Sequence, residues 1–149
     1  MKLNESTGNM YYFIDYTGNA IRGNCPHNCA YCFMKRNGDL GNIRLDRNEL
    51  TGKIIENKFI FIGDCTDMFA DNIPEEYIKT VLDYCNCFNN KYLFQSKNPK
   101  RILEFINHSV FSKSVVCTTI ETNRHYPELM CNAPKIEDRV SAMEEIANT

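Results

Sequence analysis

The sequence has no excess of basic residues and no long hydrophobic run. Its 17 lysines and arginines stand against 19 aspartates and glutamates, and its isoelectric point is near 5.9. This balance gives no support for strong binding to a phosphate backbone. No window approaches the roughly 18 apolar residues of a membrane-spanning helix, and the polar segment 1–10 lacks the apolar centre of a secretory signal. We therefore predict a cytoplasmic protein with no membrane partner.

The sequence also lacks internal repeats, low-complexity segments and any stretch that resembles a flexible linker. Its 149 residues, of which 43% are hydrophobic and 24% are charged, are typical of one soluble domain. We therefore predict a single domain over residues 1–149.

Eight cysteines are present, and the missing export signal argues against a disulfide framework. We interpret all eight as reduced thiols. Five of them are scattered through apolar surroundings, where a cysteine commonly serves as a small buried hydrophobe; they are Cys65, Cys85, Cys87, Cys117 and Cys131. The other three lie close together and call for a different explanation.

Short β-rich runs alternate with helical segments along the chain, a pattern typical of βα units around a parallel sheet. The predicted strands are 10–16, 58–62, 91–95 and 114–120. One helix is predicted to begin near Pro74, with Asp71 or Asn72 as its cap. Others are predicted from Pro99 and over 136–147, the last with Ile136, Val140, Met143 and Ile146 at helical spacing.

Four such units predict an α/β fold, an incomplete TIM-type β/α barrel with about four parallel βα units, because a closed barrel needs eight. The last strand of this partial barrel would present an open edge of unpaired backbone groups. We expect self-association or a partner protein to cover that edge.

The chemistry is concentrated in the loop that follows the first predicted strand, where Cys25, Cys29 and Cys32 fall within eight residues. Four thiolates saturate a 4Fe-4S cluster, whereas three leave one iron open to another ligand. Structural zinc sites prefer four ligands, and the nearest further pair, Cys85 and Cys87, has the wrong spacing for a zinc knuckle. The spacing therefore predicts an iron-sulfur cluster with an open iron. His27, inside the same loop, is interpreted as a loop residue rather than a ligand.

The pattern Cys-x-x-x-Cys-x-aromatic-Cys, with Tyr31 as its aromatic residue, resembles the cluster motif of the radical S-adenosylmethionine (SAM) superfamily. The segments 61–69, 94–99 and 118–124 resemble strand-end motifs of one branch, which includes spore photoproduct lyase-like and phage-associated radical SAM proteins. The resemblance implies an enzyme in which SAM chelates the open iron of a 4Fe-4S cluster. An electron from the cluster then cleaves SAM to a 5'-deoxyadenosyl radical, which abstracts hydrogen from a substrate that the sequence does not identify.

The resemblance also implies partners and ligands. Cys25, Cys29 and Cys32 match the cluster ligands, and Tyr31 matches the aromatic residue whose backbone lies near the adenine of SAM. A reductant such as flavodoxin or ferredoxin would supply the electron. A nucleic-acid substrate is left open by analogy with the lyase-like branch, although the acidic charge balance does not favour it.

Five further residues match cofactor-binding positions of the family. Thr66 and Asp67 match the polar end of the second strand, which faces the amino group or the ribose of SAM, and Lys97 matches a lysine that pairs with the SAM carboxylate. Thr119 corresponds to a hydroxyl residue on the fourth strand, and Glu121 lies two residues on, on the same face.

The sequence departs from the family pattern because the fifth and sixth strands of a six-unit partial barrel are not found, so we expect a chain truncated at its carboxyl end. Two other functions therefore stay open. A non-catalytic metal or iron-sulfur module would need neither Lys97 nor Asp67, which would then be a solvated lysine and a turn cap. An inactive remnant of a radical SAM protein would keep the fold without the chemistry.

Overall fold

The computed structural model describes residues 1–8 and 10–149. Its centre is a five-stranded sheet with the strand order β1-β2-β5-β6-β7, in which the last four strands are parallel and β1 is antiparallel to β2. Strands β3 and β4 form a separate antiparallel pair. The strands are β1 Leu3–Glu5, β2 Tyr16–Gly18, β3 Ile21–Arg22, β4 Arg44–Leu45, β5 Phe59–Ile62, β6 Lys91–Ser96 and β7 Ser114–Thr118.

Among residues 1–8 and 10–149, four α-helices and three short 3-10 helices lie between the strands or follow β7. The α-helices are α1 Glu75–Asn86, α2 Pro99–Leu103, α3 Pro127–Met130 and α4 Ile136–Ala147, and the 3-10 helices are Phe33–Asn37, Arg47–Leu50 and Ser109–Lys113. The mixed α/β class and the mostly parallel sheet confirm the predicted alternation of strands and helices. No helix in the part of the chain that the structure describes is long and apolar enough to cross a membrane.

The central strands are apolar on both faces because each face packs against its own set of side chains. Ile60 and Ile62 of β5 enter the main core beneath α1, whereas Phe61 points to the other face and packs with Leu93 and Ile14. Successive side chains of a strand alternate between faces, so a nearly continuous apolar run fits a strand covered on both sides.

Helix α1 presents its predicted apolar stripe to the core, with Ile78, Val81, Leu82 and Cys85 buried. The predicted caps are wrong, because Pro74 occupies the N-cap position and no side-chain cap forms. The bounds of α4 match the prediction, but its buried residues do not. The helix buries Ile136, Arg139 and Ala142, whereas Val140 is exposed, because the face that meets α2 and β7 includes the arginine.

Two strand predictions need correction, and one strand was not predicted. The predicted first strand, 10–16, is mostly a turn, and β2 begins only at Tyr16. Tyr11 and Phe13 stack on each other there, and Tyr12 is 98% exposed, so these aromatics do not form a buried strand. The fourth parallel strand ends at Thr118, which places Thr119 just beyond it. Strand β1 was not predicted, since its three residues show no pattern of their own.

The two edges of the sheet differ. β1 covers the outer side of β2, whereas no strand among residues 1–8 and 10–149 pairs with the outer side of β7. Helices α2 and α4 pack together, and α4 also contacts β7. Because β2, β5, β6 and β7 are parallel, their carboxyl ends point the same way. The loops that follow these strands therefore meet at one end of the sheet.

Candidate functional site

A cavity of about 1250 Å³ opens at the carboxyl ends of the parallel strands. The loop with the three cysteines lines one side of it, and residues at or just after the ends of β5, β6 and β7, among them Asp67, Lys97 and Thr119, line the other. Parallel α/β folds gather their ligands at this end of the sheet. The volume exceeds the roughly 300–1,000 Å³ of a typical small-molecule pocket, so there is room for a cofactor and a second molecule.

The three cysteines of the loop all line this cavity. Two tight turns shape the loop, with the amide of Asn28 donating to the carbonyl of Cys25 over 3.1 Å and the amide of Cys32 donating to the carbonyl of Cys29 over 3.2 Å. Cys29 is buried, Cys25 and Cys32 are half-buried, and all eight cysteines of the chain are free thiols. The loop thus presents three thiols to one space, as the spacing predicts.

The donor set of this loop fits a sulfur-ligated cluster, because thiolates are the ligands that iron-sulfur clusters require. The three cysteine side chains are not preorganised for a metal. Residues 1–8 and 10–149 contain no group of three or more His, Cys, Asp or Glu side chains placed to hold a metal ion. Burial raises the pKa of Cys25, although the backbone amides of Asp67 and His27 oppose it, and burial also raises the pKa of Cys29 against the nearby charge of Lys97. Metal binding would have to displace these thiol protons.

Asp67 is the most heavily hydrogen-bonded of the predicted site residues. Its Oδ2 lies 2.8 Å from Nε2 of His27 and accepts from the backbone amide of Lys97 at 2.8 Å. Its Oδ1 accepts from the hydroxyl of Ser96 at 2.8 Å and from the amide of Phe69 at 3.0 Å. Burial by itself raises the pKa of Asp67, but these donors outweigh it and hold the pKa below its usual value. Asp67 faces the cavity, yet the protein itself engages both of its oxygens.

Thr66, its neighbour, lies behind the cavity wall. Its side chain is buried, and its hydroxyl donates to the carbonyl of Gly23 over 2.9 Å. Gly23 has a φ of +118°, and an added Cβ would stand 2.5 Å from the carbonyl oxygen of Asn42, so only glycine fits there. Thr66 therefore anchors the start of the cysteine loop.

Tyr31, Lys97 and Glu121 form a linked group at the cavity. The amine of Lys97 lies 5.4 Å from the centre of the Tyr31 ring, within cation-π range, and it forms no ion pair in the described part of the chain. The Tyr31 hydroxyl donates to Glu121, whose other oxygen accepts from Arg139 at 2.8 Å. Burial and this carboxylate raise the pKa of Tyr31. Burial alone raises the pKa of Glu121, but Tyr31 and Arg139 together keep it below its usual value.

Thr119 belongs to a second polar group on the cavity wall. Its hydroxyl accepts from Nε2 of Gln95 over 3.1 Å, and Oε1 of Gln95 accepts from the hydroxyl of Tyr11 over 3.0 Å. All three residues line the cavity. The structure therefore brings Tyr31, Asp67, Lys97 and Thr119 to the same space as the cysteines, and it leaves Thr66 and Glu121 outside the cavity lining.

Several residues of this site were missed from the sequence. Arg139 of α4 was not predicted to belong to the site. Its position three residues after Ile136, within an otherwise apolar stripe, could have indicated a buried arginine. Ser96 ends β6 inside one of the strand-end segments and carried no signal of its own. Cys65 was predicted to be a small buried hydrophobe, but it is half-buried and lines the cavity. Burial and the neighbouring Asp64 raise the pKa of Cys65 to about 12.

The fold of this chain is similar to that of solved spore photoproduct lyase structures. A spore photoproduct lyase complexed with dinucleoside spore photoproduct superposes with a TM-score of 0.74 at 12% sequence identity, over 99% of this chain and 45% of the lyase. A cysteine-to-alanine mutant of spore photoproduct lyase with the same dinucleoside gives a TM-score of 0.72, with the same identity and coverage. No protein-family model and no curated protein matches the sequence. The chain thus spans less than half the length of these lyases, and the likeness concerns the fold.

Proposed function

We propose that this chain is a radical SAM enzyme whose Cys25, Cys29 and Cys32 hold a 4Fe-4S cluster with one open iron. The observation that carries the proposal is the opening of this three-cysteine loop into the cavity at the carboxyl ends of the parallel strands. The similarity of the fold to spore photoproduct lyase supports it. When bound, such a cluster would supply the electron that cleaves SAM to methionine and a 5'-deoxyadenosyl radical, which takes a hydrogen atom from the substrate.

The predicted site residues divide into two roles under this proposal. Lys97 offers a positive charge for the carboxylate of SAM, Tyr31 lies beside Lys97 and would face the adenine, and Thr119 offers a hydroxyl to the same cavity. Asp67 and Glu121, whose oxygens are engaged by the protein, act by holding the loop and the Tyr31 ring in place. Thr66 supports the loop from behind.

The proposal extends to the rest of the fold and to the setting of the protein. We propose that the sheet is part of a partial β/α barrel and that a partner or a second copy covers the outer edge of β7. A reductant such as flavodoxin or ferredoxin would deliver the electron, and a reducing cytoplasm would keep the thiols ready for iron. The substrate is a separate question, because the residues named above serve the cofactor.

Anaerobic reconstitution with iron and sulfide tests the proposal. After reduction with dithionite, the expected result is an EPR signal that SAM perturbs, together with accumulation of 5'-deoxyadenosine in chromatography. Cys25→Ala, Cys29→Ala and Cys32→Ala should each lose the cluster. Cys87→Ala and Cys131→Ala are matched controls, because these thiols are exposed and lie outside the cavity lining, and they should keep it.

Other outcomes would point to other functions. If a cluster forms but SAM neither perturbs its EPR signal nor is cleaved, the protein is inactive or incomplete, or it is an iron-sulfur module without catalysis. Binding of zinc alone indicates a metal-binding module. Equal iron content in Cys25→Ala and in the unsubstituted protein contradicts the assignment of the ligands.

A further inference from the structure

His27 lies between Cys25 and Cys29 in the cysteine loop, and its side chain faces inward. The side chain is 5% exposed, and its Nε2 lies 2.8 Å from Oδ2 of Asp67. A carboxylate only accepts hydrogen bonds, so Nε2 carries the hydrogen and donates it. A charged acceptor makes this bond shorter and stronger than a neutral one. One imidazole therefore links the cysteine loop to the loop that follows β5.

Asp67 extends this link to the end of β6. Its carboxylate also accepts from the hydroxyl of Ser96 at 2.8 Å and from the backbone amide of Lys97 at 2.8 Å. Lys97, whose side chain lines the cavity, is thus connected to the imidazole of His27 by two hydrogen bonds, because its backbone amide and Nε2 of His27 both bond Oδ2 of Asp67. Through these bonds the position of the cysteine loop depends on the position of the Lys97 backbone.

The other side of the cysteine loop is held by backbone groups and by Asn132. Asn132 donates twice to the loop, from its backbone amide to the carbonyl of His27 at 3.0 Å and from its side-chain amide to the carbonyl of Pro26 at 3.1 Å. The backbone amide of Ala30 donates to the carbonyl of Leu129 at 2.8 Å. With this side fixed, the imidazole sets how closely the loop approaches the strand ends.

We propose that the His27–Asp67 pair is a tether that positions the cysteine loop, and with it the cluster, against the end of β6. This inference rests on the proposed function and adds a positioning residue to it. His27 does not ligate iron; it acts through the loop and through Asp67. Hydrogen bonds to the sulfurs of an iron-sulfur cluster help to set its reduction potential, so a loosened loop changes the potential as well as the response to SAM.

Two substitutions separate a tether from a mere packing residue. His27→Ala removes the donor and leaves a buried carboxylate short of one partner. His27→Gln keeps an amide N–H at a similar reach and should restore the bond. His108→Ala is the matched control, because His108 forms the same kind of pair with Asp83 at 3.0 Å on an exposed surface, away from the residues that line the cavity.

The first measurement uses the reconstituted protein. His27→Ala is expected to fold and to take up iron, but with affinity lowered about 10-fold, at the low end of what loss of an outer hydrogen bond costs a metal site. Its midpoint potential should change, because a loosened loop alters the hydrogen bonding and solvent exposure of the cluster sulfurs, and the change that SAM makes to the EPR signal should be lost. His27→Gln should return all three quantities to near those of the unsubstituted protein, and His108→Ala should leave them unchanged.

The second measurement needs no cluster and keeps the inference distinct from the proposed function. Hydrogen exchange in the metal-free protein reports the amides of Asn28 and Cys32, which close the two turns of the loop. Faster exchange in His27→Ala, with protection regained in His27→Gln, supports the tether even if the protein binds no iron. Unchanged exchange and an unchanged potential in His27→Ala, or equal defects in His27→Ala and His27→Gln, would overturn it.

Discussion

Arg139 Nη1 lies 2.8 Å from Oε2 of Glu121, and this ion pair joins the last helix to the segment that follows β7. Arg139 is fully buried, and it also donates to the carbonyls of Thr119 and Pro134, each at 2.8 Å. The second oxygen of Glu121 accepts from the hydroxyl of Tyr31. A residue of α4 therefore supports the aromatic residue of the cysteine loop through one carboxylate.

Arg139→Met should destabilise the protein strongly. The change leaves the Glu121 carboxylate without its buried partner and deprives two carbonyls of a donor, and breaking a buried pair in this way typically costs about 3–5 kcal/mol. Urea unfolding gives the free energy of unfolding. Arg101→Met is the control, since its pair with Glu104, at 3.3 Å, includes an exposed carboxylate, and such pairs contribute about 1 kcal/mol or less. Equal losses in the two variants would contradict the role given to Arg139.

Stability should fall at high pH because of buried thiols. Cys85 is fully buried, and burial raises its pKa to about 12. The folded protein keeps this proton while the unfolded chain loses it above about pH 9, so the stabilisation is complete below pH 9 and is lost as the pH rises toward 12. The slope is about 1.4 kcal/mol per pH unit for one group.

Urea unfolding between pH 7 and pH 10.5 checks this expectation. Other buried thiols act in the same direction, so Cys85→Ala should reduce the slope rather than abolish it. Cys87→Ala, which removes an exposed thiol of the same helix end, should leave the slope as it is. A slope that Cys85→Ala does not change would show that Cys85 is not responsible.

The sequence predicts those parts of the fold that have their own pattern. The apolar run of β5 and the stripe of α1 were predictable because burial on one or two faces leaves a period in the sequence. The turn around Tyr12 was not, because a cluster of aromatics predicts a strand whether its rings are buried or exposed. Strand β1 is short and is held by its pairing with β2, which no local pattern reveals.

The same division applies to the site. Asp67, Lys97 and Thr119 lie at the cavity where the strand ends predicted them, because parallel strands deliver their carboxyl ends to one edge. The partners of Asp67 were not predictable, because His27 and Ser96 come from separate segments that only the tertiary fold brings together. Thr66 was predicted to bind the cofactor because it adjoins Asp67 in the sequence. That position alone did not show that the Thr66 side chain points away from the cavity.

Lys97→Met should weaken binding of SAM and spare the cluster. The change keeps an unbranched side chain, shorter by one atom, but removes the positive charge that faces the cavity. Under the proposed function we expect the dissociation constant of SAM to rise about 10-fold, which corresponds to about 1.4 kcal/mol, with unchanged iron content. Equilibrium dialysis on the reconstituted protein measures both quantities. Lys53→Met, at an exposed position outside the cavity lining, is the control, and an unchanged dissociation constant in Lys97→Met would exclude a contact with the SAM carboxylate.

Cys65 should be among the least reactive thiols of the cavity despite its position there. Burial and the charge of Asp64, whose Oδ1 lies 3.7 Å from the sulfur, raise the pKa of Cys65 to about 12. At pH 8 its thiolate fraction is therefore lower than that of an ordinary thiol, with a pKa near 8.5, by on the order of a thousandfold. Timed labelling with iodoacetamide and peptide mapping should find Cys87 and Cys131, both exposed, labelled first. Asp64→Asn should speed the labelling of Cys65, because removal of the carboxylate charge lowers the pKa; rapid labelling of Cys65 in the unsubstituted protein would show that its thiol is not held in the neutral form.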